Sequence, residues 1–270
     1  ENSEDVIEPT NIENLEIGIA LSGGGHKGLA HAGALKFLEE QNIQPRIIAG
    51  TSAGSIVGSL YANGMKPDDI LTFFKSVNFF SWNHLTFTKP GFLDSGSFNS
   101  YLKIVFGDKK IGDLDKELYI TATDIVRGKL KIFNAQTKIT DAVLASSAFP
   151  GVISPVSIDG KIYSDGGILN NFPVTTIQGR CDFIIGINVC PMIDTEESQL
   201  KSIKSVAIRA YEIMLMHNSN AYRELCDWYI EPKKLCNYST FESKKNRMDE
   251  IFMIGYNEAK NSYTVMKDKF

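Results

Sequence analysis

The first fifty residues alternate between short apolar runs and a helical pattern. The run LEIGIAL at 15–21 is long enough for one buried strand, and it stops at Ser22 and three glycines. From 28 to 41 apolar residues recur on one helical face, and a second short run follows at 46–49. A helix rich in small residues then begins near Ser52. This order predicts a parallel sheet wound by right-handed crossovers, and therefore the α/β fold class.

The rest of the chain continues the same alternation of strands and helices. Further strands are predicted at 118–126, 129–134 and 182–189. Further helices are predicted at 67–77, 97–106, 139–148, 199–225 and 248–267. The sequence contains no internal repeat and no low-complexity tract, so a solenoid or a disordered protein is not expected.

Composition and charge argue against several classes of function. The chain has 270 residues, 43% of them apolar, and 28 basic residues against 32 acidic ones give a net charge of −4. This balance argues against a nucleic-acid binder and against a disordered protein. The four cysteines are widely spaced and form no C-x-x-C pair, so we expect free thiols buried as small apolar residues rather than a zinc site or a disulfide framework.

Neither the start of the chain nor its long uncharged stretches predict membrane insertion. The first residues are acidic and contain no apolar signal-peptide core. The uncharged stretch 47–65 has only 10 apolar residues among its 19, fewer than a membrane-spanning helix requires, and 142–158 is shorter still. We therefore expect a soluble protein, with the cytoplasm favoured unless an export signal has been removed.

Three glycine-containing motifs are candidates for chemistry. Gly-Gly-Gly-His-Lys-Gly at 23–28 and Gly-Thr-Ser-Ala-Gly at 50–54 each lie between a predicted strand and a predicted helix. Asp-Gly-Gly at 165–167 follows the segment 161–164. Each motif alone is weak, but chance would produce all three with a frequency of about 10⁻⁴, so the combination is specific.

The motif at 50–54 is typical of a nucleophile elbow. A serine on a sharp turn between strand and helix is strained, and glycines two residues away on either side, Gly50 and Gly54, remove the clashes that side chains would cause. Gly58 continues the spacing of four, which lets one face of the 52–63 helix approach the sheet. The alternative is that the glycines serve packing alone and that Ser52 is only a helix N-cap.

The glycine run at 23–28 admits two other interpretations, and both fail. Gly23, Gly25 and Gly28 satisfy a dinucleotide fingerprint, but the strand at 46–49 does not end in the acidic residue that holds a ribose. A phosphate-binding P-loop requires lysine after the last glycine, where Leu29 stands. The remaining interpretation is a row of backbone N–H groups at a helix N-terminus, which suits an oxyanion.

A serine nucleophile needs a base, and the sequence offers histidines and aspartates. Ser52, Asp165 and His217 follow the chain order of an α/β-hydrolase triad, but His217 lies in a predicted helix rather than in a loop. His26 and His31 flank the glycine run without an obvious base position. Asp165, which is followed by two glycines, is the better base, while Asp124 is predicted to form a turn before Gly128.

These motifs resemble those of the patatin-like phospholipase family. The segment Ala-Ser-Ser-Ala-Phe-Pro at 145–150, Pro155-Val156, Asn171 and Pro173 are also similar to the family pattern, so the likeness covers 17–178. The resemblance implies a three-layer α/β sandwich with a mostly parallel central sheet. It divides the chain into a tail at 1–16, a catalytic core at 17–178, and strands and helices at 179–270 that complete the same domain.

The resemblance also implies a lipid acyl hydrolase that uses a Ser–Asp dyad without a histidine, a metal or a cofactor. By position, Ser52 is the nucleophile, Asp165 is the base, and Gly23, Gly24 and Gly25 supply the oxyanion hole. The residues expected to support the motifs are Lys27, Gly28, Gly50, Gly54, Gly166 and Gly167. Lys27 stands where many members have arginine, so it keeps the charge but loses the planar fork.

The expected substrate is a phospholipid, a lysophospholipid or another acyl lipid, met in solution or at a membrane surface. Four alternatives remain at this point: an acyltransferase with the same dyad, an esterase with a Ser-Asp-His triad, a nucleotide-binding module, and a lipid-binding protein without turnover. The oligomeric state cannot be inferred from the sequence.

Aromatic residues concentrate at 78–98, where glycines and a proline interrupt any long helix. Because acyl chains need an apolar entrance, we hypothesise that Phe79, Phe80 and Trp82 contact the acyl chain or a lipid surface. The alternative is a satellite cluster packed over the edge of the sheet.

Overall fold

The computed structural model describes residues 14–77, 96–240 and 244–267. In this part of the chain one sheet of eight strands runs in the order β5-β6-β3-β2-β1-β7-β8, with β4 also paired to β3. The strands are β1 Ile17–Leu21, β2 Ile47–Thr51, β3 Glu117–Asp124, β4 Lys129–Ile132, β5 Val156–Ile158, β6 Lys161–Asp165, β7 Phe183–Ile187 and β8 Trp228–Ile230.

The sheet has a parallel block and an antiparallel edge. Strands β3, β2, β1, β7 and β8 pair in parallel. Strands β4, β5 and β6 are joined to one another or to β3 by antiparallel pairs. Short loops suffice for the antiparallel pairs, whereas each parallel pair needs a crossover, which is why the helices concentrate on the parallel part.

Nine α-helices surround this sheet in the described residues. They are α1 Leu29–Glu40, α2 Ala53–Ala62, α3 Pro67–Ser76, α4 Gly96–Phe106, α5 Ile139–Ser146, α6 Gly167–Asn170, α7 Val174–Ile177, α8 Ile203–Asn220 and α9 Lys245–Met266. None of these helices combines the length and the apolar character that a membrane crossing would need.

Apolar residues cover both faces of the sheet. On β1, Ile19 and Leu21 lie in the large core with residues of α1, α2 and α9, whereas Ala20, between them, lies in a second cluster with Phe172. This alternation follows from the two-residue period of a strand. Helices on both faces of a mostly parallel sheet confirm the expected three-layer α/β class.

Differences from the predicted elements lie at their ends and in short strands. The strand predicted to continue to 126 ends at Asp124, because the Asp124 carboxylate accepts hydrogen bonds from the N–H groups of Val126 and Arg127 and turns the chain. This confirms the predicted turn role of Asp124. The helix predicted at 199–225 begins at Ile203, since the Ser202 hydroxyl caps it by accepting from the N–H of Ser205.

The C-terminal part of the chain packs directly against the N-terminal part. Strand β7 pairs with β1, and α9 crosses α1 at two glycines. A Cβ on Gly255 would overlap the backbone of Ala30, and a Cβ on Gly33 would overlap the backbone of Phe252. We therefore propose that residues 179–270 and 17–178 unfold as one unit.

We predict that Gly255→Ala lowers the free energy of unfolding. Alanine favours a helix by about 1 kcal/mol relative to glycine, but backbone atoms of α1 cannot move away, and overpacking costs about 1–3 kcal/mol. Urea unfolding followed by both tryptophan fluorescence and circular dichroism measures the effect, with Asn257→Ala on the exposed face of α9 as the control. A stabilised Gly255→Ala variant, or two transitions that do not coincide, would contradict the close crossing or the single unit.

Candidate active site

Ser52 lies at the turn between β2 and α2, at the carboxyl end of a central strand. Its backbone has φ 53° and ψ −119°, a left-handed conformation that a residue with a side chain rarely adopts. The Ser52 N–H donates to the Ser146 hydroxyl oxygen at 2.8 Å. No hydrogen bond from a side chain caps α2, so the alternative in which Ser52 is a capping serine is not supported.

The glycines around Ser52 are required by close contacts. A Cβ on Gly54 would overlap the carbonyl of Leu21 at the end of β1, and a Cβ on Gly50 would overlap the backbone of Gly54. A Cβ on Gly28 would lie 2.6 Å from the Cβ of Ala53. Strand β1, strand β2 and helix α2 therefore meet more closely than side chains would permit, as the spacing of the glycines predicted.

Asp165 ends strand β6 and is buried, with 2% of its surface exposed. Its Oδ1 atom accepts the N–H of Gly167 at 2.7 Å, and its side chain also interacts with that of Ser52. Burial raises the pKa of Asp165 to about 6, and the two hydrogen-bonding partners oppose that shift. Ser52 and Asp165, 113 positions apart in the sequence, are thus brought together at one end of the sheet.

The last residue of α5 and the segment after it form hydrogen bonds with both predicted catalytic regions. Ser146 accepts from the Ser52 N–H through its hydroxyl, and its carbonyl accepts the N–H of Gly166 at 3.4 Å. The carbonyl of Ala148 accepts the N–H of Asp165 at 3.0 Å. The likeness to the family included this segment but suggested no role for Ser146. Hydrogen bonds between segments so far apart in the sequence are visible only in the folded chain.

The glycine run forms a loop and a short 3₁₀ turn between β1 and α1. The N–H of Gly23 donates to the carbonyl of Asn171 at 3.0 Å, so this amide is already engaged and does not serve as the third oxyanion donor that we expected. Within the described part of the chain, the amides of Gly24 and Gly25 donate no hydrogen bond, and both glycines line the space beside Ser52. Of the three amides expected to donate to an oxyanion, those of Gly24 and Gly25 are therefore still available.

Close packing also fixes the glycines of this loop and of the Asp-Gly-Gly motif. Gly25 has φ +59°, and a Cβ there would overlap the backbone of Thr240. A Cβ on Gly24 would lie 2.6 Å from Val189. In the other motif, a Cβ on Gly166 would lie 2.5 Å from the carbonyl oxygen of Thr121, and a Cβ on Gly167 would lie 2.6 Å from Leu215 of α8.

The remaining motif residue, Lys27, is buried beside a cysteine. Burial raises the pKa of Cys190 to about 11, and the positive charge of Lys27 opposes that rise. All four cysteines are free, as predicted, but only Cys190 is fully buried: Cys181 and Cys226 are half-buried, and Cys236 is exposed. Among the described residues, no group of three or more His, Cys, Asp or Glu side chains is arranged to hold a metal ion.

Neither His31 nor His217 lies where a triad base would. His31 is buried, its Nε2 atom lies 2.7 Å from the carbonyl oxygen of Ser22, and burial lowers its pKa to about 4. His217 is exposed on α8 and does not line either space beside Ser52. His26 lines the apolar space there and lies edge-on to Phe74. His84 lies outside the described residues.

Two spaces meet at Ser52. The first is an apolar cavity lined mainly by Ala53, Ile56, Phe74, Phe98, Phe149 and Ile153. The second is more polar and is lined by Gly24, Asp165, Asn171, Cys190, Glu212 and Leu215. Glu212 and Leu215 belong to α8, and no sequence motif pointed to them.

The predicted lipid contacts Phe79, Phe80 and Trp82 lie outside the described residues, so that hypothesis stays a prediction. Phe98, the last aromatic of the same stretch, is described: it is 5% exposed and lines the apolar cavity beside Ser52.

Fold and site together define an α/β protein with a strained serine at a strand-to-helix turn, a buried aspartate in reach of that serine, and an apolar cavity beside both. A family model described as patatin-like phospholipase matches residues 19–177, more than half of the chain. The chain belongs to this family.

Individual relatives agree with that assignment. The lysophospholipase NTE1 of Saccharomyces cerevisiae is 33% identical over 183 residues, which cover 64% of this chain and 11% of that protein. A patatin-like phospholipase domain-containing protein of Caenorhabditis elegans is 30% identical over 197 residues, covering 68% of this chain and 14% of that protein. The chain thus spans about a tenth of the length of the curated relatives that it matches.

A solved structure is similar in fold. VipD from Legionella pneumophila has a TM-score of 0.60 at 15% sequence identity, over 92% of this chain and 66% of that chain. At this identity the likeness supports the fold alone.

We predict that Asp165→Asn stabilises the protein above pH 6. Because the pKa of Asp165 is higher in the folded than in the unfolded chain, the folded state binds more protons between pH 4 and pH 6, and its stability falls as the pH rises through that interval. Asparagine avoids the buried charge and can still accept from Gly167, so we expect a gain of up to about 3 kcal/mol at pH 8.

Urea unfolding at pH 4 and pH 8 measures this gain, which should shrink at the lower pH. Asp115→Asn, at an exposed position, is the control and should change little. An Asp165→Asn variant that is less stable than the wild type at pH 8 would show that Asp165 does not carry an unfavourable buried charge.

Proposed function

We propose that this protein hydrolyses carboxylic esters of acyl lipids, phospholipids or lysophospholipids, through a Ser52–Asp165 dyad and an acyl-enzyme. The observation that carries the proposal is the strained Ser52 beside the buried carboxylate of Asp165, at the mouth of an apolar cavity. Family membership supports ester hydrolysis, and relatives named lysophospholipases support a lipid substrate.

The first half of the reaction transfers the acyl group to Ser52. The Ser52 Oγ attacks the ester carbonyl, and its proton passes to Asp165. The N–H groups of Gly24 and Gly25 stabilise the negative charge that forms on the carbonyl oxygen. The tetrahedral intermediate then collapses, the bond to the alcohol breaks, and Asp165 returns the proton to the leaving alcohol.

The second half regenerates the enzyme. Asp165 takes a proton from a water molecule, which attacks the acyl-enzyme. As the second intermediate collapses, the bond between the acyl carbon and Ser52 Oγ breaks, Asp165 returns the proton to Oγ, and the fatty acid is released. A carboxylate of ordinary pKa is a weak base for a hydroxyl. The raised pKa of Asp165 reduces the difference in pKa between this base and the hydroxyl of Ser52. The apolar cavity accepts the acyl chain, because it lies directly beside the serine.

We predict that Ser52→Ala and Asp165→Asn each abolish nearly all esterase activity and leave the fold intact. Groups that act as one unit lose rate non-additively, so the double variant should be about as inactive as either single variant. Labelling by a fluorophosphonate ester probe should disappear in Ser52→Ala and persist in Ser59→Ala, a control in the same helix. Undiminished labelling of Ser52→Ala would place the nucleophile elsewhere.

We predict that kcat/KM rises with pH through an apparent pKa of about 6, because the base must be ionised. A histidine base would give a similar rise of kcat/KM with pH, so His217→Ala is the variant that distinguishes the two bases. We expect His217→Ala to keep this pH dependence and to lower kcat/KM by less than tenfold, since loss of a general base lowers the rate about 10²–10⁴-fold. A thousandfold loss with an unchanged circular dichroism spectrum would favour the triad instead.

A further inference from the structure

A third space lies beside the site, outside the cavities that contain Ser52. It is an open groove between α8 and the segment 149–152. Its walls are mostly apolar, with Val152 on one side and Ile203, Ala207 and Ile208 of α8 on the other. Ile203 is 92% exposed, so a large apolar side chain borders the groove without cover from the described residues.

Phe149 connects this groove to the site. It lines the groove and also both spaces that meet at Ser52. Its ring lies edge-on to that of Tyr211, which stands on the groove side, with 4.8 Å between the ring centres. The groove and the two spaces beside Ser52 therefore lie next to one another and share Phe149 as a wall.

Tyr211 lines the groove, and its hydroxyl is buried. It has no hydrogen-bond partner among the described residues, which is costly for a buried polar group. Burial raises the pKa of Tyr211, and the nearby carboxylate of Asp165 raises it further, so the hydroxyl keeps its proton and remains a donor. A donor without an acceptor, near Asp165, suits an oxygen atom of a bound substrate.

We propose that the groove binds a second hydrocarbon chain, carried by the alcohol side of the scissile ester, and that the Tyr211 hydroxyl donates to an oxygen where that chain begins. The preferred substrate is then a lipid with two chains, one in the cavity beside Ser52 and one along α8. A lysolipid has a single chain, which fills the cavity and leaves the groove empty. This inference rests on the proposed esterase function.

The positions of the two spaces indicate which side of the scissile ester carries the second chain. The cavity beside Ser52 suits the acyl group that is transferred to the serine, while the groove lies beyond Phe149 on the side of Tyr211. An alcohol product that consisted only of a polar head group would not match apolar walls. An alcohol product that keeps a hydrocarbon chain would match them.

The test compares a two-chain phosphatidylcholine with its one-chain lysophosphatidylcholine in the same mixed micelles, together with a short soluble ester. Ala207→Trp fills the groove, and Ala210→Trp, one turn further along α8 and outside the groove, is the matched control. Both alanines are exposed, so neither change disturbs the core. We expect Ala207→Trp to lower the ratio of two-chain to one-chain kcat/KM by at least about tenfold, the effect of excluding two methylene groups.

Tyr211→Phe is a second, nearly isosteric variant that keeps the ring against Phe149. We expect it to lower the same ratio by about fivefold, the value of one hydrogen bond, without lowering the melting temperature. The second-chain site would be overturned if the ratio of two-chain to one-chain kcat/KM were unchanged in both Ala207→Trp and Tyr211→Phe. It would also be overturned if Ala210→Trp lowered this ratio as much as Ala207→Trp does. A wild-type protein that cleaves neither lipid nor the short ester would instead overturn the proposed function, so the two failures are distinguishable.

Discussion

The site depends on the close approach of helix α2 to the ends of strands β1 and β2. Ser52 keeps a left-handed backbone conformation only because the chain on both sides is fixed, by Gly54 against the carbonyl of Leu21 and by the hydrogen bond to Ser146. Such a conformation costs about 1–3 kcal/mol, which the surrounding packing must offset. In this conformation Ser52 lines both spaces of the site, and its side chain interacts with that of Asp165.

The second constraint is electrostatic. Asp165 is held in a buried position by the N–H of Gly167 and by the strand end that carries it. Burial disfavours its ionised form, which lowers stability near neutral pH but raises the basicity of the carboxylate. A residue that is unfavourable for folding and favourable for proton transfer is a frequent feature of catalytic sites.

The part of the chain beyond the family match builds much of the site wall. Asn171 donates to the Ser219 hydroxyl of α8 at 2.9 Å, which ties the glycine loop region to that helix. Leu215 packs against Gly167, and Tyr211 packs against Phe149. Helix α8 therefore contributes to the spaces on either side of Phe149, although none of its residues belongs to a sequence motif.

The sequence by itself determined the α/β class, the strand-to-helix turn at Ser52, and the glycines that the turn requires, because these features follow from local periodicity and from conformations that only glycine tolerates. It did not predict β5 or β8, which are three residues long and too short for a recognisable period. It also did not predict β6, whose sequence KIYSD contains no apolar run. Nor did it reveal that the Gly23 amide is engaged by Asn171, that Ser146 holds the Ser52 backbone, or that α8 lines the site. Gly23 and Asn171 are 148 positions apart and Ser52 and Ser146 are 94 apart, while Glu212 of α8 lies 160 positions from Ser52, so only tertiary packing could decide these contacts.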